Sequence, residues 1–194
     1  CIRDRGGSSR TILEAVDRYS ARSTSDLLGT LPARFVNAKT AQAMASHAYQ
    51  RGLRLSDHNT PVVGIGCTAT IATDSPKRGT HSSRVCVFER TRHTQYAIDL
   101  SKGARSRRDE ETLVSGLVLH GLARACGLER TLDLGLLETE CLESQSEASR
   151  DPLDSLLAGD VESVTVHHDG VMCADKAHEG VAVVSGSFNP CLLY

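Results

Sequence analysis

The apolar positions of this chain change period several times along its length, and each change predicts an element. Between residues 37 and 52, Ala41, Met44, Ala45 and Ala48 recur at three- and four-residue spacing, which predicts a helix with Asn37 as N-cap and Gly52 as stop. Its apolar stripe is made of small residues, so it is expected to pack closely on a sheet. The run 61–66, apolar apart from its glycines, is the expected central strand of that sheet. After a polar loop over 67–80, residues 84–90 read as a strand buried on both faces, with 96–100 as its neighbour across the polar turn 90–94. The strongest helical pattern comes next. Asp109, Glu110 and Glu111 stand at its start, Leu113, Leu117, Val118, Leu122 and Cys126 on its inner side, and Gly127 at its stop. Upstream, residues 12–19 read as a short strand, and Ser20 caps a helix that runs to Leu28 and stops at Gly29. Strands alternating with helices predict an α/β layered fold.

From 128 to 160 the pattern gives way to acidic and serine-rich sequence, as in a linker. Strand-like segments return at 163–166 and 181–184. The second runs straight into Ser185, Gly186, Ser187, Phe188, Asn189 and Pro190. With 194 residues and 40% hydrophobic content the chain can bury one sizeable core, with room for the edge of a second domain. The 22 basic and 24 acidic residues leave a formal charge of -2, so no global field draws nucleic acid or an anionic membrane, and any anion site must be local. The absence of Trp, with three Phe and four Tyr, also disfavours a stacking platform for single strands. Seven cysteines form no C-x-x-C pair and are odd in number, which suggests reduced thiols and a cytoplasmic protein. No apolar run approaches the ~20 residues of a membrane-spanning helix, and no signal-peptide core stands at the start.

The richest chemistry lies in residues 62–79, where a β-branched run flows into small residues, hydroxyls and a cationic turn. This pattern reads as a strand delivering a phosphate-sized anion site. Gly64 and Gly66 would let backbone amides approach the anion, Thr68, Thr70, Thr73 and Ser75 would donate hydroxyls, and Lys77 and Arg78 would supply charge. His81, just beyond, would add a hydrogen bond or a positive charge. A polar surface loop between two strands is the competing reading. Arg105, Arg107 and Arg108 would either deepen the anion site or neutralise the acidic helix start that follows them. Cys67 reads as a small buried residue and His120 as a core histidine. His167, His168, Cys173 and His178 match no standard zinc spacing and are placed in a strand connection, so no metal or cofactor is expected.

Several short landmarks then fall in a familiar order: Gly7-Ser8-Ser9-Arg10, Tyr19-Ser20, Leu27-Leu28-Gly29, Ala43-Met44-Ala45, Gly64-Ile65 and Pro76-Lys77-Arg78-Gly79. Together they resemble the CinA C-terminal domain, the family of nicotinamide mononucleotide deamidases, over about residues 6–127. The resemblance implies a layered α/β/α sandwich whose Gly-Ile loop and Lys-containing turn line a substrate pocket. The segment Gly186-Ser187-Phe188-Asn189-Pro190 is similar to the first strand motif of cytidylyltransferase-like nucleotidyltransferases, although Cys191 to Tyr194 stand where that family has His-x-Gly-His. The implied organisation is a CinA-like domain over 6–127, a linker over 128–160 and a truncated transferase segment over 161–190. Residues 1–5 and 191–194 are read as non-native tails, with the natural chain continuing in both directions.

On this resemblance the expected ligand is nicotinamide mononucleotide or a similar phosphorylated nucleoside. Gly64, Gly66, Thr68, Lys77, Arg78 and His81 would bind it, and Tyr19 would act at the reacting centre. Homo-oligomers are expected, and nucleic acid and membrane are not expected as partners. Two departures bear on catalysis. The family's serine motif, Glu-Ser-x-Thr-Gly-Gly, would lie upstream of these residues, and the position of its activating lysine is Thr24. A threonine offers no basicity to a Ser/Lys pair. A slow or absent deamidase is therefore expected beside two alternatives: an inactive regulatory or oligomerisation domain, and nucleotidyl transfer by the downstream domain.

Overall fold

The computed structural model describes residues 11–57, 60–73, 79–129, 132–148, 152–157, 159, 163–166 and 172–175. Its chain divides into two units, Cys1–Ser149 and Arg150–Tyr194. In the first unit, side-chain caps set the helix starts. Helix α1 (Ala21–Leu28) follows Ser20, whose Oγ accepts the Ser23 N–H at 3.1 Å, and ends at Gly29 in the left-handed region at φ 67°. Helix α2 (Ala38–Leu55) starts where Asn37 Oδ1 accepts the Thr40 N–H at 2.8 Å. Gly52 does not stop it. That residue is buried against Val62, whose Cγ1 lies 2.6 Å from where a Cβ would sit, and the helix continues to Leu55.

Four strands, β1 (Gly64–Thr70), β2 (His81–Phe88), β3 (Arg92–Leu100) and β4 (Glu143–Ala148), form a sheet in that order, antiparallel throughout. The run expected to be central is thus an edge strand. Cross-strand register defines three rows on one face: Gly64–Phe88–His93–Glu147, Gly66–Cys86–Gln95–Gln145 and Thr68–Arg84–Ala97–Glu143. Helix α2 lies on this face, where Ala41, Ala45 and Tyr49 pack with Cys86 and Phe88. On the opposite face Val85, Val87, Tyr96, Ile98 and Leu100 meet Leu113 and Leu117 of helix α3 (Arg107–Ala125). That helix begins with a reciprocal capping box between Ser106 and Asp109. Cys126, expected inside, is exposed at its end.

Two further expectations are corrected. Residues 12–19 form no strand. Among the described residues they have no strand partner, and side chains hold them instead, with Glu14 paired to Arg51 at 3.3 Å and Leu13 beside Gly52. The acidic, serine-rich stretch is not all linker. Its residues Glu143–Ala148 form β4, whose polar side chains are exposed because it closes one edge of the sheet, where charge discourages further pairing. In the second unit, helix α4 (Pro152–Leu157) packs on an antiparallel hairpin of β5 (Ser163–Val166) and β6 (Met172–Asp175). The strand expected at 181–184, the Gly186, Ser187, Phe188, Asn189 and Pro190 motif, and His167, His168 and His178 lie outside the described residues. No described helix is long and apolar enough to cross a membrane.

Candidate functional site

Between the end of β1 and the start of β2, the chain turns through the loop that carries Lys77 and Arg78. Those two residues lie outside the described set, but both stems of the loop are described, and both are fastened to one side chain. Glu110, in the first turn of α3, is 0% exposed. Its Oε2 accepts the Ala72 N–H at 2.6 Å, and its Oε1 accepts from His81 Nδ1 at 2.9 Å. Arg107, one turn earlier, donates from Nη1 to the Ala72 carbonyl at 3.2 Å while its Nε donates to Glu111 at 3.0 Å. A buried carboxylate is costly unless its lone pairs are filled. Here a backbone amide and an imidazole fill them, so the helix start and the two stems form one hydrogen-bonded unit. His81 is only 5% exposed, and its donation through Nδ1 fixes the ring orientation.

The other sequence-predicted residues fall into different places. Gly64 and Gly66 serve helix packing. A Cβ on Gly64 would lie 2.2 Å from the Ala45 carbonyl oxygen, and one on Gly66 would lie 2.1 Å from that of Ala41. The backbone of α2 therefore occupies the space in which a ligand was expected. Thr68 lies on the same face next to Arg84 in the register, and its Oγ1 is buried without a partner among the described residues. Tyr19 is 97% exposed. Thr24 is buried in α1, where its hydroxyl donates to the Ser20 and Arg18 carbonyls at 3.2 and 3.3 Å, which consumes its hydrogen-bonding capacity locally.

The remaining charged and nucleophilic candidates are structural. Arg105 does not face the loop. Its two terminal nitrogens donate to Glu140 at 2.6 and 2.7 Å, and that carboxylate also accepts the Ser101 and Leu137 amides. The Arg105 guanidinium holds the Glu140 carboxyl at about 2, well below the usual carboxylate range. Burial pushes the Cys67 thiol up to about 11, so it remains protonated and is a packing residue rather than a nucleophile. His120 packs edge-on against Tyr96 with ring centroids 5.4 Å apart, and burial lowers its pKa. Among the described residues no group of three or more His, Cys, Asp or Glu is placed to hold a metal ion.

Sequence reasoning missed Glu110 by assigning it to the solvated helix start. The signal was present: positions 110, 113, 117 and 120 share one face of α3, and all four are buried. A carboxylate on an apolar stripe signals a buried polar partner. No family model, curated protein or solved structure matches this chain.

Proposed function

We propose that residues of the first unit form a CinA-like layered α/β/α domain that binds a phosphorylated nucleoside, with its phosphate in the loop between β1 and β2. Nicotinamide mononucleotide is the ligand that the family resemblance implies. One observation carries the reading: the fully buried Glu110 fastens both stems of the loop, through Ala72 and His81. A solvated surface turn has no need of a desolvated carboxylate beneath it, whereas a loop that gathers an anion gains affinity when its ends are fixed in advance. Lys77 and Arg78 supply the charge between those ends. Thr68 is retained as a hydroxyl donor next to Arg84 in the sheet. Gly64 and Gly66 are assigned to packing.

A second reading is favoured by Thr24, whose buried hydroxyl is spent on backbone carbonyls where the family pattern has a basic amine. On that reading the domain binds but does not cleave, and serves as a regulatory or oligomerisation module of a nucleotidyltransferase. Calorimetric titration with nicotinamide mononucleotide, with ammonia measured in the same samples, tests both. The expected result is saturable heat for the unmodified chain, affinity at least about tenfold weaker for Lys77→Ala/Arg78→Ala, and no ammonia. Absence of heat, or heat unchanged in the double variant, rejects the phosphate site. Ammonia release rejects the binding-only reading.

A further inference from the structure

Strand β4 overhangs the two helices that cover the rest of the sheet. Helices α2 and α3 pack on β1, β2 and β3, whereas all six residues of β4 are exposed. Its hold on the sheet is the ladder to β3, reinforced where the Thr94 and Ser146 hydroxyls meet at 2.8 Å. Among the described residues no strand pairs with its other side. Alternate residues there point their N–H and C=O groups away from β3, so β4 is a strand template set in place before a partner arrives. The opposite edge, β1, differs, because its residues are already buried or half-buried between the helices.

The side chains decide which partner suits this edge. Glu143, Gln145 and Glu147 share the α2 side of β4, and Ser144, Ser146 and Ala148 share the other. Glu143 has no hydrogen-bond or ion-pair partner among the described residues. Glu147 accepts from Gln145 at 2.8 Å and lies 3.6 Å from His93 Nε2, yet its side chain stays 54% exposed. No lysine, arginine or proline stands in the strand. A second copy of this chain is a poor neighbour for it. The run Glu143-Ser144-Gln145-Ser146-Glu147 reads the same in both directions, so antiparallel self-pairing centred on Gln145 sets each Glu143 opposite a Glu147. A strand that brings cations to those two positions turns the same repulsion into two attractive cross-strand pairs.

We infer that β4 is a docking edge for an extended basic segment of a partner protein, which adds to the four-stranded sheet as a further strand. The register specifies that segment. Glu143 and Glu147 lie four residues apart on one side, so Lys or Arg stands at i and i+4 of the incoming strand, with a polar residue between them opposite Gln145. The alternate positions meet Ser144 and Ser146, whose small side chains leave room for β-branched residues. Main-chain hydrogen bonds supply the affinity, and the two charge pairs supply the selection. This inference is independent of the nucleotide reading, because it uses no residue of the loop between β1 and β2.

The test titrates the full chain into a labelled, end-capped peptide containing Lys-Val-Thr-Val-Lys and follows fluorescence anisotropy. Two control peptides accompany it: Glu-Val-Thr-Val-Glu, and the basic sequence with every peptide nitrogen methylated, which keeps the charge but removes the ladder donors. The expected result is saturable binding of the basic peptide and at least about tenfold weaker binding of its methylated form. The same loss is expected in Glu143→Lys/Glu147→Lys, which in turn prefers the acidic peptide. Both positions are exposed, and circular dichroism on the same samples checks that the fold persists. Absence of saturable binding overturns the assignment, and so does basic-peptide affinity unchanged in the folded double variant. Equal binding of the methylated peptide to the unmodified chain also overturns it, since charge would then attract without strand addition, and this comparison needs no variant to fold. Sedimentation of the unmodified chain covers the remaining occupant: an oligomer that the basic peptide dissociates gives the edge to a second copy and overturns the assignment.

Discussion

Gly66→Ala lowers the melting temperature by roughly 6–12 °C, at about 2–4 °C per kcal/mol for a chain of this size and a cost of about 3 kcal/mol. The added methyl would stand 2.1 Å from the Ala41 carbonyl oxygen and 2.6 Å from the Ala45 nitrogen. Both are backbone atoms of a helix whose own hydrogen bonds hold them in place, so the clash cannot be relieved by a rotamer change. Either α2 lifts from the sheet, exposing the Cys86–Phe88 cluster, or β1 bends away from β2. Gly64→Ala, at 2.2 Å from the Ala45 oxygen, behaves in the same way. Thermal unfolding followed by circular dichroism checks this. A variant that melts within about 2 °C of the unmodified protein yet binds ligand poorly would return the glycines to a ligand-facing role.

The second large effect belongs to Glu140. Its carboxylate accepts both terminal nitrogens of Arg105 and two backbone amides, and its side chain is 0% exposed. Glu140→Gln removes the charge but leaves the guanidinium at 11% exposure without a counter-ion, which costs about 3–5 kcal/mol. The pH dependence has a definite sign. A carboxyl held at about 2 instead of 4.5 favours the folded state whenever it is ionised, a stabilisation of about 3 kcal/mol. That stabilisation is complete above pH 4.5 and is lost as pH falls through about 2. The stability gap between the unmodified protein and Glu140→Gln, measured by urea unfolding, is therefore constant above that range and closes below it. A gap that stays open at pH 2 would show that the clamp is not electrostatic.

Much of the fold was legible because its signals are local. Ser20, Gly29 and Asn37 mark helix ends through backbone groups within a turn of themselves, and Leu113 and Leu117 mark the inner side of α3 by spacing alone. Contacts distant in sequence were not legible in the same way. Nothing near Gly66 says that α2 will lie against it, so a glycine needed for packing looked like one needed for a ligand. Nothing near Glu140 says that Arg105 waits for it 35 residues away, so a buried anchor passed as part of an acidic linker. Strand β4 was hidden for a related reason: an exposed edge strand lacks the alternation that a half-buried one displays. The hydroxyls and cations of the loop are legible in the sequence, but the buried carboxylate that fastens its stems, Glu110, sits 38 residues beyond Ala72.

That carboxylate also offers the most direct test of the binding loop. Leucine at 110 keeps roughly the volume but offers neither acceptor nor donor, so the Ala72 N–H and His81 Nδ1 both lose their partner and both stems are released. The measurement is the affinity of nicotinamide mononucleotide for Glu110→Leu relative to the unmodified chain, with circular dichroism on the same samples to establish that the sheet and helices persist. A folded variant that binds at least about tenfold more weakly is the predicted result. A folded variant with unchanged affinity would contradict the claim that this buried clamp builds the phosphate site.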